Sequence, residues 1–323
     1  MLFSPVPMHI PDGFLSVLVS VVFWAFSIVG VGYALTRVGE DLGERQAPIM
    51  GVLAAAIFAG QMLNFSVTGG TSGHLLGAAL ATIVLGPWAA VLVMTSVVGI
   101  QALVFQDGGL LALGANIFNM AIVGVAVAYF AYSTVQRLLQ RVAKDAAWII
   151  PVNGFVAGWL SIFIASLACA LQLALSGSSP ANVAVPAMGG IHALIGIGEG
   201  LITAGSLVFI LAARRDLLQP AAASAGSQRV VWVGGLVIAV LLTILSPLAS
   251  AHPDGLEWVA EERGFIDLAQ GPLYEIIPDY VLPGISNEAL ATILAGVVGV
   301  GLVLAATLVV AYARRRAQPV KEQ

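Results

Sequence analysis

Residues 289–312 read ALATILAGVVGVGLVLAATLVVAY, an unbroken apolar run with no charged side chain. A helix crossing the hydrocarbon core of a bilayer needs about 20 mostly apolar residues, and this run exceeds that length. It is not an isolated case. Comparable segments recur at about 14–36, 49–65, 70–86, 88–105, 110–132, 148–175, 191–213 and 230–250. Across the whole chain 59% of residues are hydrophobic and 9% are charged, against roughly 25% charged in an ordinary soluble domain. A soluble core of this size would leave a surface with almost no polar groups to cover it. The sequence therefore predicts an all-α integral membrane protein with about nine transmembrane helices. The third and fourth are divided only by Gly86-Pro87, a turn signal, and Gln106-Asp107-Gly108-Gly109 makes a clearer turn before the fifth.

Basic residues concentrate on the cytoplasmic side of membrane proteins. Arg37 and Arg45 follow the first segment, and Arg137, Arg141 and Lys144 the fifth. Arg214, Arg215 and Arg229 lie between the seventh and eighth, and Arg314, Arg315, Arg316 and Lys321 follow the last. Of 13 basic residues only Arg263 falls on the opposite side. The count predicts an external N-terminus and a cytoplasmic C-terminus. The first run lacks a basic leader and carries Asp12 ahead of it, so it reads as a retained helix and not as a cleaved signal. The sole cysteine, Cys169, lies in an apolar run and reads as a packing residue.

Residues 251–288 differ in kind. They hold eight of the chain's 17 acidic residues, from Asp254 to Glu288, and prolines at 253, 272, 278 and 283. They read as a small external acidic module, with a helical turn or two from Asp254 to Glu262. The module either gathers cations electrostatically or is simply a solvated loop. The organisation expected is an N-terminal extension, 1–7; a seven-helix membrane domain, 8–213; a cytoplasmic linker, 214–229; and a C-terminal unit, 230–323, holding a helix, the acidic module, a helix and a basic tail.

The chemistry available is narrow. No histidine is followed by Glu, so the zinc-protease helix motif is missing. Lys144 and Lys321 precede acidic residues, so no phosphate-cradling Gly-Lys-Ser/Thr loop exists. The chain is expected to bind no ATP. Three histidines share one predicted membrane depth at the outer face: His9 before the first helix, His74 after the loop Gly69-Gly70-Thr71-Ser72-Gly73, and His192 at the predicted start of the seventh helix. Ionisable groups at such depth are functional candidates. Gly69, Gly70 and Gly73 allow positive φ or close approach to a small ligand, or make a tight connection.

These residues carry a resemblance. Met8-His9-Ile10-Pro11-Asp12-Gly13-Phe14-Leu15, Gly70-Thr71-Ser72-Gly73-His74-Leu75-Leu76-Gly77, Gly86-Pro87-Trp88-Ala89, Gly114-Ala115-Asn116-Ile117-Phe118-Asn119-Met120 and Gly190-Ile191-His192-Ala193-Leu194-Ile195-Gly196 resemble the membrane metal-binding subunits of cobalt/nickel energy-coupling factor transporters. The stretch His252-Pro253-Asp254-Gly255-Leu256-Glu257 resembles the PDGLE-type accessory module, here fused. The resemblance implies capture of Ni²⁺ or Co²⁺ as transported substrate, at the plasma (inner) membrane of a bacterium. It implies, as partners, two ATP-binding-cassette ATPases, a transmembrane scaffold subunit and a further small membrane subunit, with no nucleic acid among them. It also implies a metal site made by the Met8 amine, the His9 amide nitrogen and imidazole, and the His74 imidazole. Amine, deprotonated amide and Nδ1 close adjoining chelate rings, and four nitrogens in a plane suit nickel(II), copper(II) or low-spin cobalt(II) better than zinc. Met8 offers a free amine only where it begins the chain, so translation is expected to start there; removal of residues 1–7 and a site built differently are the alternatives. His192, Thr71, Ser72, Asn116, Asn119 and Glu199 are expected to orient ligands or gate the site. Two other readings stay open: an ion-coupled secondary carrier, for which Glu199 is the one clear intramembrane carboxylate, and a membrane metalloenzyme.

Overall fold

The computed structural model describes residues 9–41, 46–142, 148–218 and 228–316. The order is α1 (Val17–Asp41), α2 (Gln46–Gln61), a hairpin of β1 (Phe65–Val67) and β2 (Thr71–Gly73), α3 (Ala78–Leu85), α4 (Pro87–Val104) and α5 (Leu113–Ile117). A π-type stretch, Phe118–Val123, carries α5 into α6 (Gly124–Val142). Then come α7 (Ile149–Ser176), α8 (Ala181–Ala213), α9 (Gln228–Leu245), α10 (Gly255–Arg263) and α11 (Glu288–Arg316). Among the described residues, seven stretches are helical, long and apolar enough to cross a membrane. Their outward faces are apolar: Val17, Leu18, Val21, Phe26, Ile28 and Val29 of α1 are all exposed. Such a surface is stable against lipid and not against water.

Two expectations need correction. Residues 70–86 are not one helix. The hairpin turns at Gly69 and Gly70 (φ 94° and 82°), and α3 begins only at Ala78. Its eight residues rise about 12 Å, well short of the about 30 Å hydrocarbon core. Strands can lie here because their backbone groups are paired: Phe65 with Gly73, Ser66 with Ser72, Val67 with Thr71, as any buried backbone requires. Helix α8 starts at Ala181, ten residues earlier than the apolar pattern indicates, with Pro186 inside it. His192 therefore sits within the helix and does not open it. The break at Gly86, between α3 and α4, is where the Gly-Pro signal puts it.

One end of the bundle is stitched together. Gly109 N–H donates to the Ile10 carbonyl (3.0 Å), Gln270 N–H to that of Asp12 (2.7 Å), and the Ser178 hydroxyl to that of Phe14. Arg37, Arg141, Arg214, Arg229 and Arg315 lie at the far ends of their helices from this cluster. Helices α9 and α11 pack on α2, and α11 also on α4. The acidic stretch between them is not merely a solvated loop. It buries Leu256, Val259, Ala260, Phe265, Ile277 and Tyr280, and Asp254 caps α10 by accepting the Glu257 N–H at 2.8 Å.

Candidate metal centre

His9 lies in the extended run before α1, fixed from below by the α4–α5 loop. Its backbone N–H donates to Asp107 Oδ1 at 3.2 Å, and its Nδ1 is 3.2 Å from the same oxygen and 3.3 Å from the Asp107 carbonyl. Facing two acceptors, Nδ1 carries a proton, which it must give up to enter a chelate with its own backbone nitrogen. Nε2 is buried with no hydrogen-bond partner among the described residues. His74 follows β2, and its Nδ1 faces the Leu75 carbonyl at 3.0 Å. With Nδ1 donating there, Nε2 of His74 keeps its lone pair. The two rings stand edge to face with centroids 5.7 Å apart. His192 turns Nδ1 to the Met188 carbonyl at 2.9 Å.

All three rings line one cavity of about 80 Å³, together with Asn116, Asn119 and Asp254. That space suits an ion or a few waters; organic ligands need several hundred Å³. Among the described residues no three His, Cys, Asp or Glu side chains stand close enough to hold an ion as they are. Met8 lies outside the described residues.

The residues expected to orient the site mostly work through backbone. Asn116 accepts the Ile10 N–H and donates to the Ile10 carbonyl, each at 3.1 Å, fixing the segment that bears His9. Asn119, in the π-type stretch, forms a reciprocal amide pair with Gln172 of α7 at 2.8 Å. Glu199 of α8 is fully buried and accepts the N–H groups of Leu76 (2.6 Å) and Gly77 (3.1 Å), two and three residues past His74. Ser72 ties the hairpin to the C-terminal module: its N–H donates to the Pro253 carbonyl and its hydroxyl to that of His252, both at 2.8 Å. Thr71 donates to the Pro253 carbonyl at 3.1 Å. Gly255 then passes so close to His192 that a Cβ there would sit 2.9 Å from the ring. His252 itself is exposed and outside the cavity.

Electrostatics separate the two histidines. Burial pulls His9 down, but the Asp107 carboxylate beside it more than reverses this, and its imidazole titrates above the usual 6.5. Burial, with neighbouring His9, lowers His74 to about 4. Burial pushes the Asp254 carboxyl up to about 8.

Asp107 and Tyr280 escape a reading of the sequence. Asp107 sits in what reads as a turn, and Tyr280, whose hydroxyl donates to Asp107 Oδ2 at 2.6 Å, belongs to a module with no evident tie to His9.

Comparison with known proteins points the same way. Residues 9–217 match the family model of the cobalt uptake substrate-specific transmembrane region, and residues 229–316 that of the PDGLE domain. The chain is 41% identical to the putative fused nickel transport protein NikMN of Archaeoglobus fulgidus, covering 92% of this chain and 96% of that one. Against the fused nickel transport protein NikMN of Rhodobacter capsulatus identity is 31%, over 92% and 95% of the two chains. A crystal structure of a transition metal transporter superposes with a TM-score of 0.57 at 32% identity, spanning 68% of this chain and all of that one (100%).

Proposed function

For a chain that belongs to the cobalt uptake substrate-specific transmembrane family, with a PDGLE domain behind it, we propose that it captures nickel(II) or cobalt(II) at the outer face and passes it inward as the substrate-binding part of an ATP-driven uptake system. It is a multi-pass membrane component of nickel or cobalt transport. The ion is held by the Met8 amine, the His9 amide and imidazole, and the His74 imidazole, and His192 steadies the loop around them. Energy comes from two ATPase partners and a membrane scaffold. The segregation of arginines at the far helix ends supports an external site and a cytoplasmic C-terminus.

One observation carries the reading: His9 and His74, 65 residues apart in sequence, meet in a single ion-sized cavity. In cells that depend on this chain for nickel, His9→Ala and His74→Ala should each abolish uptake of radioactive nickel while membrane levels of the protein hold. His192→Ala should lose less. Full uptake in His74→Ala would refute the site.

A further inference from the structure

On the reading that His9 and His74 hold the ion, we propose that Asp107 fills the chelate seat beside His9 until the ion arrives, and that Tyr280 of the C-terminal module is the positioning residue that keeps it there. The backbone N–H and Nδ1 of His9 both lie 3.2 Å from one atom, Asp107 Oδ1. An ion bound by these two nitrogens has to stand on the side of the residue that this oxygen now occupies. Asp107 is buried, so its carboxylate exchanges nothing with solvent. When the ion takes both nitrogens their protons pass to solvent, Oδ1 loses these two donors, and the carboxylate turns aside. It remains next to the ion as a counter-charge, which a dication in a dry site needs.

The pivot for that turn is the other oxygen. Tyr280 Oη donates to Oδ2 at 2.6 Å, a short charge-assisted bond. Tyr280 is itself rigidly held. It is 1% exposed and stacked on Phe105, with ring centroids 4.8 Å apart and planes 16° from parallel. Its segment is zipped to the end of α4, with Ile277 N–H donating to Val104 and Asp279 N–H to Phe105, at 3.0 and 3.2 Å. Asp279 and Tyr280 both adopt positive φ, 51° and 57°. Two adjacent non-glycine residues rarely do so, and such strain persists where surrounding structure imposes it for a purpose. Here its result is a buried hydroxyl delivered to Asp107. The C-terminal module thereby acts on the ion site without supplying a ligand.

The test is nickel(II) chloride titrated calorimetrically into the full-length detergent-solubilised chain. Tyr280→Phe and Asp107→Asn keep the shapes of their side chains, so both variants are expected to fold, with thermal midpoints as a check. Each should weaken Kd about tenfold, or 1.4 kcal/mol. The double variant should be no weaker than Asp107→Asn alone, because Tyr280 acts only through Asp107. The nickel absorption band of Tyr280→Phe should keep its wavelength, since no donor is lost. Tyr274→Phe, an exposed tyrosine in the same module, should bind as the parent does. Parental affinity in Tyr280→Phe, or an additive, about hundredfold loss in the double variant, would overturn the proposal. Undiminished binding in His9→Ala and His74→Ala would instead take down the site, and this proposal with it.

Discussion

His9 and His74 face each other across 5.7 Å, yet their surroundings push their proton affinities apart. Every donor in the proposed set must shed its proton to bind an ion. His9, raised above 6.5 by Asp107, is mostly protonated at pH 6 and so loses the ion as pH falls through its raised value. His74, lowered to about 4, is already neutral there and contributes nothing to the pH slope. The amine, with an ordinary pKa of about 7.7–8.0, is protonated too. Nickel binding at pH 6 should thus release about three protons, from amine, amide and His9. Calorimetry in buffers of different ionisation enthalpy measures this number, and release of one proton or fewer would rule out the amide chelate. At this scale the sequence is uneven evidence. Histidine in an apolar chain stands out because few other groups bind a soft-to-borderline ion. Asp107 does not, because Gln106-Asp107-Gly108-Gly109 is a good turn by local rules and its partner His9 is 98 residues away.

Among the elements, α3 is the one whose position matters most and whose origin is least local. The two residues that lead into it, Leu76 and Gly77, donate their N–H groups to Glu199 of α8, so a carboxylate from a distant helix holds the approach to α3. Since Leu76 and Gly77 lie two and three residues past His74, this carboxylate also anchors the loop that carries His74. Glu199→Ala would strand two buried donors, at about 1–3 kcal/mol each. The thermal midpoint in detergent should fall clearly, and nickel affinity with it. Glu199→Gln, with one acceptor oxygen left, should lose about half as much. A midpoint within a degree of the parent in Glu199→Ala would show that the contact is incidental. The long helices are legible because length and apolarity alone define them. The hairpin is not, for two reasons. Its strands are three residues each, and part of its pairing is with Pro253, 181 residues on. The early start of α8 hides behind Pro186 and Gly189-Gly190, which read locally as breakers and are tolerated in a membrane helix whose neighbours satisfy the freed groups.

The whole molecule is two units closed over one site. The first supplies the histidines. The second reaches the same place by two routes, through Asp254 and Gly255 past the hairpin and through Tyr280 to Asp107. The clustering of arginines at one set of helix ends was visible in the sequence because charge needs no fold to be counted. The convergence of the two units was not, since it depends on α9 and α11 packing against α2. The central claim is that the ion sits in a nitrogen chelate built on His9 and His74, and a nickel titration followed by visible absorption tests it most directly. Square-planar nickel(II) in four nitrogens absorbs differently from the pale octahedral ion in water. The purified full-length protein should develop that band to saturation at one ion per chain, lose it on acidification, and fail to form it in His9→Ala or His74→Ala. An octahedral spectrum that survives both substitutions would contradict the account and move the ion to carboxylates around Asp254 and Glu257.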